Sequence, residues 1–326
     1  MSIFHDEQTG APSTKMKSLS TILWFGIAGG SYAAETYPRQ YRVMPAREIQ
    51  QTIVRLGKDY PKFIEVRTSQ EAYGLPSAGA FADCPFDGAD VGCLNYFGVI
   101  QDYVAHPKSS ASSNRLPTVL LSGALHGDER VGPTAVMETA RLLLQAAECE
   151  ADGGTTCRQV LKTEQGISDK QCRWLARLVT SRRIVIVPTA NALGYYQNIR
   201  TEDGNDPNRD FPYDQYSTLC MLTIAARTLN EIFRRNIIQM SFTFHAGIEM
   251  IGYEWGAFPY LNTAVSPDDT AQAQLATGFS TYGGGWSGQP TYLTGPMNDI
   301  IYAVNGGMED WAYAGYVKMD CLIVNK

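Results

Sequence analysis

The amino-acid sequence predicts a single α/β domain with a mixed, mainly parallel central sheet flanked by helices. Two stretches, Arg183–Pro188 and Ile238–Phe244, are mostly apolar, as is typical of strands covered on both faces. Stretches with apolar residues at helical spacing separate these strands from each other and from Thr118–Leu121. Strands that alternate with helices indicate a parallel sheet wrapped on both sides. No linker interrupts residues 37–326, so we expect one domain there.

The order of elements follows from the same patterns. Ile49, Ile53 and Leu56 lie on one helical face, and Gly57 is expected to end that helix. In chain order we expect a helix at Pro45–Leu56, strands at Phe63–Arg67, Leu94–Tyr103 and Thr118–Leu121, a helix through Ala147, a helix at Arg173–Thr180, a strand at Arg183–Pro188, a helix at Leu219–Asn236 and a strand at Ile238–Phe244. The connecting stretches are a glycine-rich insertion at Gly74–Gly92, a surface loop at Lys108–Asn114 and an exposed polar excursion at Glu148–Asp169.

The amino terminus carries a targeting signal. Met16-Lys17 precedes a short apolar run and then Ser31-Tyr-Ala-Ala34, the pattern of a secretory signal peptide. The run is shorter than the about 20 residues of a membrane span, so no stable membrane anchor is expected. We expect residues 1–34 to be an extension with the signal at 16–34, Met16 to be the true start, and the protein to be secreted. The alternative is a disordered tail before a buried apolar segment.

Composition excludes some classes of function. The chain has 326 residues, a formal net charge of −6 and a pI of about 5.3, without a long basic run, so nucleic acid is not an expected partner.

None of the seven cysteines forms a CxxC pair, which argues against a thiolate zinc site. Cys84 and Cys93 flank one loop, and Cys149 and Cys157 flank another, so each pair could close a local disulfide. The other pairings stay open, and the odd count leaves one thiol over.

Two of the four histidines end predicted buried strands: His126 and His245. Ligands of open α/β sheets usually lie just beyond the carboxyl ends of the strands. Glu129 follows His126 by three residues, and two histidines with a glutamate are a known ligand set of catalytic zinc. Taken alone, either histidine is better explained as a satisfied core or loop residue.

The later motifs shift this balance. Asn191-Ala-Leu-Gly194 follows the strand at 183–188, and Asp206-Pro-Asn-Arg-Asp-Phe-Pro212, Tyr302 and Gly306-Gly-Met-Glu-Asp-Trp311 come after it. In this order, from about residue 41 to 313, the chain resembles the zinc carboxypeptidases. The Gly306–Trp311 segment is most similar to the regulatory, processing-type branch of that family.

The resemblance implies a role for each matching residue. His126, Glu129 and His245 would hold one zinc ion per chain. Arg200 would polarise the scissile carbonyl and hold the developing oxyanion, where fixed positive charge lowers the barrier most. Tyr302 would cap the substrate.

The resemblance also implies how the substrate is recognised. Asn208 and Arg209 would bind its terminal carboxylate, since a guanidinium can form two parallel hydrogen bonds with a carboxylate. Glu309 lies where the family sets its side-chain preference, and an acidic residue there implies a preference for C-terminal Lys or Arg. The alternative for Glu309 is a solvent-facing loop charge.

The chain departs from the family pattern after Trp311. The family carries a general-base glutamate on a last strand about fourteen residues further on, yet Asp320–Lys326 contains no glutamate. Loss of a general acid–base typically costs about 10²–10⁴-fold in rate. Three explanations stay open: a truncated chain that lacks the last strand and helix, which we favour; a peptidase-like binding protein; or replacement of the base by Glu249, Glu254 or Asp320.

The sequence thus predicts a zinc-dependent metallocarboxypeptidase whose catalytic domain spans residues 37–326. Its partners would be peptide or protein C-termini, and a monomer is expected. One alternative is a secreted zinc- and peptide-binding protein with impaired turnover. A second is a zinc deacylase or amidase of the same wider fold, which the Asn208-Arg209 pair and the Gly306–Trp311 segment disfavour.

Overall fold

A computed structural model describes the backbone of residues 2–4 and residues 42–80, 82–88, 91–213, 220–283 and 291–314. The strands are β1 (Ser2–Phe4), β2 (Ile64–Thr68), β3 (Tyr96–Ile100), β4 (Thr118–Gly123), β5 (Arg183–Val187), β6 (Ile238–Phe244), β7 (Met250–Tyr253) and β8 (Leu293–Pro296). The helices are α1 (Ala46–Asp59), α2 (Ser69–Tyr73), α3 (Ala111–Asn114), α4 (Val131–Ala151), α5 (Thr155–Gln165), α6 (Asp169–Ser181), α7 (Ala192–Gln197), α8 (Ile224–Arg235), α9 (Asp269–Gly283), α10 (Met297–Ile300) and α11 (Met308–Ala314). Short 3₁₀ turns lie at Pro207–Arg209 and Phe258–Tyr260.

These strands form one mixed sheet in the order β2-β3-β5-β4-β6-β1-β7-β8. β4 is parallel to both β5 and β6, β1 is parallel to β6, and β7 is parallel to β8. β3 is antiparallel to β2 and β5, and β1 is antiparallel to β7. The prediction of a mixed, mainly parallel sheet is therefore confirmed. Its central parallel strands β5, β4 and β6 end at one edge.

Helices cover both faces of the sheet. On β5, Ile184 and Ile186 contact the core beneath α1, α4 and α6, whereas Val185 and Val187 contact the core beneath α8 and α11. The alternation along one apolar strand confirms that both of its faces are buried.

Several boundaries differ from the sequence prediction. α1 continues through Gly57 to Asp59, so the expected helix end is wrong. Gly57 serves packing instead, since a Cβ at this position would lie 3.0 Å from Val66 Cγ2. The polar stretch Glu148–Asp169 is largely exposed, as predicted, but it is mainly helical, and α5 buries Leu161 and Gln165. The predicted helix Leu219–Asn236 begins only after the cap Thr223, whose side chain accepts the N–H of Ala226.

Other predictions concern the amino terminus and the cysteines. Ser2–Phe4, which the sequence analysis assigns to an extension before the domain, pair within the sheet. The predicted signal at 16–34 lies outside the described residues. In the described part of the chain, no helix is both long and apolar enough to span a membrane. The disulfides Cys84–Cys93 and Cys149–Cys157 are formed, as predicted, and Cys172 is a buried free thiol.

Candidate metal centre

Two neighbouring parallel strands carry the two histidines. Gly123 at the end of β4 pairs in register with Phe244 at the end of β6. His245 directly follows β6, and His126 lies three residues beyond Gly123. Because both strands end at the same edge of the sheet, the two imidazoles meet there, with ring centroids 4.9 Å apart.

Glu129 lies between the two histidines. One carboxylate oxygen is 2.8 Å from His126 Nδ1, and the other is 2.7 Å from His245 Nδ1. One ligand atom of each residue lies within 4.8 Å of the others, and all three side chains are buried. Two imidazole nitrogens and a carboxylate that converge on one point fit a zinc ion with an open fourth position. The structure therefore brings together the predicted ligands.

Asp206 orients His126. Its Oδ1 lies 3.0 Å from His126 Nε2, on the side of the ring opposite Glu129. Metal-binding histidines usually donate their second ring N–H to a carboxylate, which fixes the ring and its tautomer. The sequence analysis assigned no role to Asp206, although it begins the recognised Asp206–Pro212 motif.

Arg200 lies beside the same groups. Its Nε and Nη2 are each 2.9 Å from Asp206 Oδ2, and its Nη1 is 3.7 Å from Glu129. The structure therefore places this predicted catalytic arginine next to the candidate metal ligands. Burial alone would raise the pKa of Glu129 and of Asp206. The two histidines beside Glu129 outweigh burial and hold its pKa well below its usual range. His126 and Arg200 have the same effect on the pKa of Asp206.

Backbone contacts fix the start of the Arg200 segment. The Arg200 carbonyl accepts hydrogen bonds from Gly127 N (3.2 Å) and from the side chain of Asn191 (3.2 Å). Gly127 allows this contact, since a Cβ there would lie 2.1 Å from the backbone of Gly194. Sequence analysis recognised Asn191–Gly194 as a motif but missed that it holds Arg200.

Asn208 and Arg209 follow in a short 3₁₀ turn. Asn208 is buried, and its side-chain oxygen accepts the N–H of Met308 at 2.9 Å. Arg209 donates to the Asn208 carbonyl at 2.8 Å. Phe211 N donates to the Gly306 carbonyl at 3.0 Å. The two motifs that sequence analysis recognised separately therefore lie against each other.

Glu309 is buried, with 4% of its surface exposed, so the solvent-facing alternative is wrong. Among the described residues, no other side chain or backbone group donates a hydrogen bond to its carboxylate oxygens. Burial raises the pKa of Glu309, and the backbone N–H of Glu309 itself and then the charge of Arg209 oppose that shift. The neighbouring Asp310 is different, because it accepts the N–H groups of Gly256 (2.8 Å) and Ala257 (2.7 Å).

The remaining predicted residues lie apart from these contacts. Tyr302 is 54% exposed in the loop between α10 and α11. Glu254, one candidate for the missing base, accepts a hydrogen bond of 2.6 Å from Gln272 on α9. Asp320 lies outside the described residues. The described carboxylates in contact with the two histidines are Glu129 and Asp206.

Glu202 anchors the Arg200 segment to α8. Its buried carboxylate accepts the N–H groups of Ile224 and Ala225, the latter at 3.1 Å, in the first turn of that helix. Burial raises the pKa of Glu202 from 4.5 to about 7. In the unfolded chain the group ionises near its ordinary pKa, so ionisation in the folded state costs free energy.

We therefore expect Glu202 to make stability depend on pH. Its contribution is full below about pH 4.5 and is lost as the pH rises to about 7, a loss on the order of 2–3 kcal/mol. Glu202→Gln removes this dependence, so the variant should gain stability relative to the wild type between pH 5 and pH 8. Urea unfolding of both proteins at the two pH values measures the difference. Equal changes in both proteins would contradict the prediction.

Comparison with known proteins agrees with this geometry. Residues 103–323 match the family model of the zinc carboxypeptidases. A search of curated proteins finds no match. Among solved structures, carboxypeptidase A from Helicoverpa armigera is similar, with a TM-score of 0.55 and 16% identity over 84% of this chain and 63% of that chain. Thrombin activatable fibrinolysis inhibitor has a TM-score of 0.57 and 15% identity over 86% of this chain and 65% of that chain.

A bovine thrombin-activatable fibrinolysis inhibitor, in complex with tick carboxypeptidase inhibitor, has a TM-score of 0.56 and 14% identity over 86% of this chain and 84% of that one. At these identities the likeness shows a shared fold. The chain spans just under two thirds of the length of the first two structures.

Proposed function

Since the chain belongs to the zinc carboxypeptidase family, we propose that it hydrolyses the C-terminal peptide bond of peptides and proteins at one zinc ion held by His126, Glu129 and His245. The strongest support is the convergence of the two imidazole Nδ1 atoms on the two oxygens of Glu129, at 2.8 and 2.7 Å. Zinc bound there would polarise the scissile carbonyl and lower the pKa of a bound water.

The side chains around the zinc ligands have complementary roles in this proposal. Asp206 keeps Nδ1 of His126 directed at the metal by holding Nε2 on the other side of the ring. Arg200 supplies positive charge beside Glu129, where the substrate oxygen would gain negative charge. Tyr302, which is half-exposed, would cap a bound substrate.

Asn208 and Arg209 would bind the terminal carboxylate of the substrate. Asn208 is buried and fixed by its hydrogen bond from Met308, so its side chain is pre-oriented. Arg209 is tied by one hydrogen bond to the Asn208 carbonyl. A guanidinium with free N–H groups suits a planar carboxylate, since two bonds can form in parallel.

A preference for C-terminal Lys or Arg would follow from Glu309. No other described residue donates a hydrogen bond to this buried carboxylate, so its ionised form carries a desolvation cost in the free protein. A basic side chain of the substrate would supply both the opposite charge and hydrogen-bond donors. An aromatic side chain in the same place would leave the carboxylate unpaired.

The remaining features concern where the protein acts. The disulfides Cys84–Cys93 and Cys149–Cys157 fit an oxidising compartment, in agreement with a secreted protein that cleaves extracellular peptide C-termini. We propose that it acts as a monomer with one zinc site.

A second candidate function is zinc-dependent binding of peptide C-termini without efficient turnover. The supporting observation is that Asp206, the described carboxylate nearest the ligands besides Glu129, is already held by His126 and Arg200. A group engaged in this way is poorly suited to accept a proton from water.

An assay of zinc-loaded protein with hippuryl-Arg and hippuryl-Phe tests both functions. We expect release of arginine that a chelator abolishes and added zinc restores. If neither amino acid is released while one zinc stays bound, isothermal titration with a peptide ending in arginine decides between the two functions. Binding with no turnover would overturn the peptidase and support the second candidate. Absence of both would overturn both.

A further inference from the structure

Three sulfur atoms meet where α4, α5 and α6 pack together. A disulfide links Cys149 on α4 to Cys157 on α5. Cys172, in the first turn of α6, is a fully buried free thiol. Cys149 Sγ, Cys172 Sγ and a carboxylate oxygen of Glu150 all lie within 4.8 Å of one another. A thiol this close to a disulfide can reach it by side-chain rotation.

Glu150 links the thiol to α5. The Cys172 thiol donates to Glu150 at 3.5 Å. The same carboxylate accepts from Arg158 Nε at 2.6 Å and from Arg158 Nη2 at 3.0 Å, one residue after Cys157. Arg158 holds the pKa of Glu150 below its usual range, so Glu150 stays ionised and orients the thiol as a hydrogen-bond acceptor.

The two cysteines of the disulfide differ in exposure, because Cys157 is partly exposed whereas Cys149 is buried. A cavity of about 620 Å³ is lined by both Cys149 and Cys157, together with Thr155, Thr156 and Val160. Cys157 is partly exposed, whereas Cys172 is fully buried. A thiol at Cys157 could react with a small molecule in this cavity.

We propose that Cys149, Cys157 and Cys172 form a thiol–disulfide exchange centre that turns a buried thiol into an accessible one. Cys172 loses its proton to hydroxide, which becomes water, and the thiolate attacks Cys149 Sγ. A Cys149–Cys172 bond forms as the Cys149–Cys157 bond breaks, and Cys157 leaves as a thiolate that takes up a proton from water. No external oxidant or reductant is consumed. The product links α4 to α6 and releases α5 from its covalent tie.

The ligand class for the released thiol is a small disulfide. Cys157 attacks one sulfur of such a molecule, forms a mixed disulfide and releases the other half as a thiol, so that electrons and atoms balance. Oxidised glutathione is a suitable probe because it carries no chemistry other than this exchange. The modification blocks return to the Cys149–Cys157 pairing until a thiol removes it.

The burial of Cys172 and the charges around it determine the rate of exchange. Burial, then Glu150, raises the pKa of the Cys172 thiol to about 12, with Asp169 adding to the effect and Arg158 opposing it. Only the thiolate attacks a disulfide, so exchange should be slow near neutral pH and accelerate about tenfold per pH unit below that pKa.

The Cys157→Ser variant traps the alternative pairing. Protein purified in air is quenched with acid, alkylated after unfolding and analysed by peptide mapping without reduction. We expect a peptide pair linked through Cys149 and Cys172. Recovery of both residues as alkylated free thiols from folded variant would overturn the proposal. Circular dichroism and the thermal transition establish that the variant is folded.

The wild-type protein gives a second test that needs no substitution at the disulfide. Folded protein is incubated with oxidised glutathione at pH 7 and pH 9, and modified peptides are identified by mass. We expect glutathione on Cys157, faster at pH 9, and none on Cys157 in the Cys172→Ser control. Glutathione on Cys172 alone, or on Cys157 in the control to the same extent, would overturn the proposal. Both tests are independent of peptidase activity.

Discussion

Replacing His245 by alanine should leave the folded protein without stably bound zinc. The variant removes one of three donors and leaves Glu129 and His126, which cannot hold the ion in a three-ligand site. Loss of an outer hydrogen-bond partner already lowers metal affinity by about 10–100-fold, so loss of a ligand should exceed about 100-fold. Zinc per chain is measured after dialysis against a chelator of known affinity.

Two matched variants make this measurement specific. His106→Ala is the same substitution at a histidine in a loop after β3 and should keep one zinc per chain. Asp206→Asn removes the charge that faces His126 Nε2 and should give an intermediate loss, about 10–100-fold. Full zinc occupancy in His245→Ala would rule out His245 as a ligand. Equal loss in His106→Ala would mean that the assay reports general destabilisation.

The fold could be predicted because the signals that determine it are local. β5 alternates Ile184 and Ile186 with Val185 and Val187 between two cores, and this two-sided burial is visible as an apolar run. The predicted strand Ile238–Phe244 is confirmed residue for residue. The end of α1 was predicted wrongly because a glycine in a helical pattern usually indicates a helix end. Gly57 instead allows close contact with Val66 on β2, an interaction between distant parts of the chain.

Some features of the candidate site could likewise be predicted from the sequence, and others could not. His126 and His245 were found because both follow apolar strands, and strand direction alone brings such residues to one edge. The position of Asp206 on the far side of His126, and that of Glu202 beneath α8, depend on a chain path that no local pattern encodes. The burial of Glu309 likewise arises from packing of the Gly306–Trp311 segment against other parts of the chain. The sequence alone therefore could not predict whether Glu309 is buried or exposed.

Glu309→Gln should remove the proposed preference for basic C-terminal residues. Breaking a buried ion pair by removing one partner costs about 3–5 kcal/mol, which corresponds to a loss of roughly 10²- to 4 × 10³-fold in the ratio of arginine to phenylalanine substrates. The glutamine keeps the size and shape of the side chain and removes only its charge. The measurement is kcat/KM for hippuryl-Arg and hippuryl-Phe, or the Kd of peptides ending in each residue when turnover is too slow.

The pH dependence of binding separates a charge effect from a change of shape. Because burial raises the pKa of Glu309, the free protein must give up a proton before it can pair with a basic side chain. Affinity for a peptide ending in arginine should therefore increase with pH from the ordinary range of a glutamate up to the raised pKa, and level off above it. Glu309→Gln should bind the same peptide weakly at every pH in that range. Glu202→Gln, the same substitution at a buried carboxylate beneath α8, should keep both the arginine preference and its pH dependence. An unchanged preference in Glu309→Gln, with zinc still bound, would show that Glu309 does not contact the substrate side chain. That result would not count against the proposed peptidase function.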